Sequence, residues 1–172
     1  AGAAAEMGWS LEEVKDVAQK AINQVRSIGF ALTSCTVPAK GTPTFALAEH
    51  EMEFGVGIHG EPGIAREAVL TADEVASKMI DAILTDMPLE KDTPIAIMVN
   101  GLGATPLQEL YVLNHAVSTQ LREKGLALHK TFVGNYMTAI DMAGASLSIL
   151  KLDDTLMPLL DAPCDTVALN VR

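Results

Sequence analysis

Aromatic side chains are scarce in this chain: one Trp, two Tyr and four Phe make up 4% of 172 residues. Hydrophobic residues nevertheless reach 49%, eight Met among them, so disorder is not expected and the core has to be aliphatic. Cysteine is nearly absent too. Cys35 and Cys164 are too few and too far apart for a disulfide scaffold or a zinc knuckle, and each reads as a free buried thiol. Basic residues are in deficit, with 12 Lys+Arg against 22 Asp+Glu, and the formal charge of −10 repels phosphate backbones and anionic lipid headgroups. No nucleic-acid partner is expected. No apolar run approaches the roughly 20 residues of a membrane-spanning helix, and AGAAAEMGWS lacks the cationic and apolar regions of a signal peptide. The expectation is a soluble, cytoplasmic protein with no membrane partner. No Walker-type loop, GxSxG elbow or recognisable carboxylate pair occurs, and nothing looks built to bind ATP. No His pair at i, i+4 and no HExxH occurs, so no metal is expected.

What the chain does contain is a single domain, 1–172, with a clear order of elements. Ser10 and Glu13 form a capping box ahead of Leu11, Val14, Ala18, Ala21, Ile22 and Val25, predicting a helix over roughly 10–28. FALTSCTV at 30–37 reads as a strand, PAKGTP as a loop and TFALA as a second short strand. Thr71 and Glu74 form a second capping box, with Leu70 and Val75 as a hydrophobic staple. IAIMV at 95–99 is apolar on both faces and reads as a buried central strand. In NGLGATPLQEL, Thr105 can cap a helix with Pro106 at its first position, running to about Lys124 and stopping at Gly125. LALHKTFVG and ASLSILKL read as strands, with a last short helix after Asp153. The fold class is α+β, a mixed sheet of about five strands covered by helices. AGAAAE reads like the tail of a helix entered midway, which suggests a piece of a longer protein.

The segment EMEFGVGIHGEPG at 51–63 concentrates the functional signal. Met52, Phe54, Val56 and Ile58 alternate with Glu51, Glu53, Gly55 and Gly57, which predicts a strand over 51–58 with one buried face. Parity puts His59 at the strand end on the face of Gly55 and Gly57, where missing side chains admit a small polar ligand. A neutral imidazole there could act as base or nucleophile, or simply close the strand. Gly60, Glu61, Pro62 and Gly63 are turn formers; Glu61 could orient the ring or only close the turn. Gly55, Gly57 and Gly60 spell GxGxxG, but Pro62 and Gly63 follow and the next helix opens only near Thr71, so the match reads as accidental. Asn100–Pro106 is open to two readings, an anion site at a helix N-terminus or a plain tight turn. His50, His115 and His129 read as surface or packing residues.

EMEFGVGIHGEPGI at 51–64 closely resembles the substrate-binding K subunit of bacterial dihydroxyacetone kinases. So do CTVPAKGTPTFALAEH at 35–50, VNGLGATPLQELY at 99–111, FVGNYMTAIDMAGASLSILKLDD at 132–154 and DAPCDTVALN at 161–170. The resemblance covers essentially the whole chain and corresponds to the C-terminal half of that subunit. It implies that His59 attacks the ketone carbon of dihydroxyacetone and holds the sugar as a hemiaminal. It also implies a fold like the C-terminal domain of tubulin-like proteins, a homodimer, and a partner L subunit that carries the phosphoryl donor, ADP or ATP with magnesium. No cofactor is expected on this chain. The family's N-terminal half, with a Gly-Ser-Gly-His loop and an aspartate, is absent, so the chain alone is expected to be inactive. It ends just past the K-type terminus, pointing to the phosphoenolpyruvate-dependent branch with separate L and M subunits. The rivals are a sugar-sensing transcriptional coactivator that keeps the histidine, and a structural or assembly domain.

Overall fold

The computed structural model describes residues 1–58 and 63–171. The elements run α1 (Gly2–Glu6), α2 (Leu11–Asn23), β1 (Val25–Ala31), β2 (Glu51–Phe54), β3 (Ala65–Ala68) and α3 (Ala72–Asp86). They continue with β4 (Pro94–Gly101), α4 (Leu107–Glu123), β5 (Ala127–Gly134), β6 (Gly144–Lys151), α5 (Leu156–Asp161), β7 (Cys164–Asp165) and β8 (Asn170–Val171). Among the described residues the main sheet has six strands in the order β3-β2-β1-β6-β4-β5, antiparallel except for β4 and β5, which α4 joins by a parallel crossover. The α+β reading with a mixed, helix-covered sheet holds, with one strand more than expected.

Both capping boxes form. Ser10 and Thr71 each accept the backbone N–H three residues on, and Glu13 and Glu74 bond back to the cap. Those returned bonds, backbone and hydroxyl, hold both carboxyls below the usual carboxylate range. Leu70 packs against the same core as buried Val75, completing the staple. Elsewhere the sheet overrides local pattern. The helix expected over 10–28 is α2 and stops at Asn23, because residues 25–31 pair along their whole length with β6, from Val25↔Leu150 to Ala31↔Gly144. The strand expected at 30–37 therefore lies earlier in sequence, and TFALA joins none of the named strands. Ala65–Ala68, unforeseen from sequence, forms β3 by pairing with β2.

The main core lies on one sheet face. There Phe30, Ile95, Ile97, Val99, Leu147 and Ile149 meet α3 through Met79, Ile80 and Ile83, and α4 through Leu110, Leu113 and Val117. Each fully buried side chain of this size contributes about 1.5–3 kcal/mol. On the opposite face Ala96 and Leu150 are covered by Ala4, Val17, Leu152 and Leu156 of the terminal helices and their flanks. That explains why β4 is apolar on both sides. Asp153 anchors this second layer: it pairs with Lys20 at 2.7 Å, and its Oδ1 accepts the Thr155 and Leu156 amides at 2.9 Å. Partial burial alone would raise its pKa, but the bonds from Lys20, Leu156, Thr155 and Gln24 outweigh that and bring it to about 2.

Candidate functional site

The second layer leaves part of its sheet face uncovered. Beyond it, β1, β6 and β4 present Ser27 and Gly29, Ser146 and Ser148, Met98 and Asn100 toward a cleft of about 450 Å3. The facing wall is the chain after β2: Gly55, Val56, Gly57, Ile58 and Ile64. None of the described lining residues is charged, in a chain of net charge −10. Set into a mainly aliphatic lining, the Ser27, Ser146 and Ser148 hydroxyls and the half-buried backbone of Gly55 and Gly57 offer hydrogen-bonding groups to a small neutral molecule. Ser27 and Ser148 share a hydrogen bond of 2.6 Å across the β1–β6 pair.

β2 is shorter than the alternation implies. It ends at Phe54, and Gly55 turns the chain with φ +80. Side-chain parity therefore cannot be carried from Met52 out to position 59, and the argument that aligned His59 with Gly55 and Gly57 along one strand fails. His59 itself, with Gly60, Glu61 and Pro62, lies outside the described residues. Val56 and Ile58 are drawn instead into a small loop core with Ala31, Cys35, Leu102, Ala139 and Met142. The chain reaches position 59 one residue after Ile58, which lines the cleft.

Glu53 departs furthest from the sequence reading. Alternation puts it in solvent with Glu51, yet it is 5% exposed. Its Oε1 accepts the Gly63 N–H at 2.8 Å and its Oε2 accepts from Arg66 Nε at 2.7 Å. The sequence carried one usable signal: a carboxylate flanked by Met52 and Phe54, with Arg66 within reach across a hairpin.

Of the two readings of Asn100–Pro106, the plain turn is the one that forms. The Leu102 and Ala104 amides donate to the Gly144 and Met142 carbonyls, at 3.2 and 3.0 Å. Thr105 does not cap α4; Pro106 occupies that position, and the Thr105 hydroxyl exchanges bonds with the Gly144 backbone at 2.7 and 2.8 Å. Asn100 serves the neighbouring loop. Its oxygen accepts the Tyr136 and Met137 amides, both at 2.8 Å, while its nitrogen donates to the Met137 carbonyl at 2.8 Å and to Ser146 Oγ at 3.2 Å. The C-terminal end matches expectation, with Lys124 as cap and Gly125 at φ +81.

The other histidines stand apart from the cleft lining. His50 is exposed near Glu49, His115 lies on the outer face of α4, and His129 Nε2 meets Asp161 Oδ2 at 2.7 Å. The His129 and Lys130 contacts hold the Asp161 carboxyl below the usual range. Cys35 is buried and Cys164 half-buried, both free thiols. Among the described residues no cluster of potential metal ligands occurs, and no helix is long and apolar enough to cross a membrane.

Comparison with known proteins adds a consistent set of relatives. The model of the Dak1 domain family matches residues 1–168. The chain is 45% identical over 168 residues to the dihydroxyacetone-binding subunit DhaK of PTS-dependent dihydroxyacetone kinase 1 from Listeria innocua, covering 97% of this chain and 51% of that one. It is 42% identical to the dihydroxyacetone-binding subunit DhaK of the PEP-dependent kinase of Escherichia coli, covering 98% and 54%. Among solved structures, the dihydroxyacetone kinase operon co-activator Dha-DhaQ superposes with a TM-score of 0.88 at 32% identity, over 94% of this chain and 50% of that one. The chain thus spans about half the length of the curated relatives it matches.

Proposed function

The chain belongs to the Dak1 domain family, and we propose that it is part of the dihydroxyacetone-binding subunit of a phosphoenolpyruvate-dependent dihydroxyacetone kinase. What carries the reading is the uncharged cleft beside Ile58, with three serine hydroxyls set in a mainly aliphatic lining, in a chain 45% and 42% identical to two dihydroxyacetone-binding subunits. Dihydroxyacetone is small, neutral and polar, which suits such a lining.

His59 is the proposed attachment point. A neutral imidazole nitrogen adds its lone pair to the C2 carbonyl carbon while the carbonyl π pair moves to oxygen. The proton on the other ring nitrogen is lost as the oxygen gains one, leaving a neutral hemiaminal. Nothing leaves, so the adduct carries the whole mass of the ketone. Covalent attachment discriminates ketones from glycerol, which offers no carbonyl, and holds a terminal hydroxyl for phosphoryl transfer. Glu61 is a candidate to orient the ring. The phosphoryl donor, ADP or ATP with magnesium, would sit on a separate L subunit recharged through an M subunit, in the cytoplasm, with this subunit a homodimer.

The decisive experiment supplies the full-length polypeptide with an L subunit, its phosphate donor and dihydroxyacetone. Formation of dihydroxyacetone phosphate that stops in the His59→Ala variant supports the kinase. The likeness to the co-activator, at TM-score 0.88, favours one second reading, a sensor that binds the ketone and influences transcription. Binding with no product under the same conditions would select it.

A further inference from the structure

We infer that Glu53 is a positioning residue, whose buried carboxylate clasps the outgoing arm of the 55–64 loop and thereby sets how His59 is presented to the ketone. The inference rests on the proposed role of His59. It starts from a cost. Burying a carboxylate loses hydration worth several kcal/mol, which only a close partner and satisfied lone pairs recover. Among the described residues Glu53 has a cation and an amide to compensate it, and these partners, Arg66 and Gly63, stand on the same outgoing arm.

The backbone ladder of the β2–β3 hairpin runs to Phe54↔Ala65 and closes with the Ile64 amide on the Phe54 carbonyl at 2.7 Å. Gly63 lies one residue beyond that ladder. Its N–H is held by a side chain instead, through a charge-assisted bond of the stronger kind. Glycine is needed there, since an added Cβ would stand 2.5 Å from the Phe54 oxygen and 2.6 Å from Glu53 Cγ.

The incoming arm is fixed differently, by Val56 and Ile58 in the loop core. Ile58 and Gly63 are therefore anchored by independent means, one by apolar packing and one by a hydrogen bond to a carboxylate, with four residues between them. Losing the Gly63 anchor widens the span of chain between fixed points beyond four residues, and the entropy cost of holding a span in one geometry grows with its length. Covalent addition is sensitive to that, because about 1 Å of misplacement costs roughly 100-fold. Glu51, on the same strand, makes a contrasting bond to the Ala48 amide at 2.9 Å on the far side of the strand's start.

The test breaks the clasp from both sides in the full-length polypeptide, with Glu53→Ala and Gly63→Ala. Native intact mass gives the equilibrium constant for the dihydroxyacetone adduct, and amide exchange across β1, β4 and β6 reports folding. The expected result is an adduct constant lowered about tenfold or more in each variant, with faster exchange at Gly63 and Ile64 and unchanged protection in the central strands. Glu53→Gln, which keeps an acceptor but loses the charge, should fall between parent and Glu53→Ala. A folded clasp variant that forms adduct as well as the parent, while His59→Ala forms none, overturns the role of Glu53 and leaves His59 standing. A parent that forms no adduct overturns both.

Discussion

Two loops of this molecule carry a Gly-x-Gly motif directly after a strand, and they are built for opposite ends. In Gly101–Pro106 the backbone amides are used within the fold, on Gly144 and Met142, and an added Cβ at Gly103 would collide with the Ile140 carbonyl oxygen. That loop is a rigid joint between β4 and α4. In the 55–64 loop, Gly55, Gly57 and Ile58 instead wall an open cleft, and the Cβ that Gly55 lacks would meet the Ile64 side chain, 2.6 Å from its Cγ1 and 3.1 Å from its Cβ, rather than backbone. Ile64 is 77% exposed, so its side chain has solvent to turn into. The same motif is in one case filled by the protein and in the other left open, so glycine spacing alone does not mark a site.

The largest effect that could break this contrast is His59→Ala. It should abolish the dihydroxyacetone adduct seen by native mass, while substitutions at Gly103 or Ala104, which do not line the cleft, keep it wherever the protein stays folded. Next in size is Gly103→Ala, expected to cost about 3 kcal/mol or more in urea unfolding, because φ +130 and a backbone collision add together. Asn100→Ala should cost about 2 kcal/mol, since it strands the Tyr136 and Met137 amides, and its loss should appear as faster exchange at those two positions. Gly55→Ala sharpens the comparison: strain at φ +80 remains but the collision is with a movable side chain, so about 1 kcal/mol is expected.

The smallest effect belongs to neither loop. Asp153, whose pKa falls from 3.8 to about 2 on folding, contributes stability that is complete above about pH 4 and lost as the pH drops through 2. With a side chain 31% exposed the contribution is discounted to about 1 kcal/mol. Acid titration of a folded Asp153→Asn variant should lack that step, and in the parent the step should appear in α5 amides rather than in either loop.

Much of this was legible in the residues. The capping boxes at Ser10 and Thr71 predicted helix starts because a cap is a contact between positions three apart. LALHKTFVG at 126–134, ASLSILKL at 145–152 and IAIMV at 95–99, apolar on both faces, point to strands that form at 127–134, 144–151 and 94–101. Three features did not. The first residues of β1 continue the spacing of the preceding helix through Val25, and only pairing with β6 makes them strand. β3 has no period of its own and exists because β2 lies beside it. Glu53 reads as a solvent residue until the hairpin folds Gly63 and Arg66 against it.

The amino-acid sequence by itself determined the local starts and stops, the aliphatic core, the acidic charge and, through motifs spread along the whole chain, the family. Tertiary structure decided which glycine turn is closed and which is open, where β2 ends, and that a carboxylate in the middle of a strand is buried. The reason is distance along the chain. Caps and periodicity are satisfied within a few residues, whereas the partners of Asn100 lie 36 to 46 residues away and those of Glu53 lie 10 and 13 away across a turn.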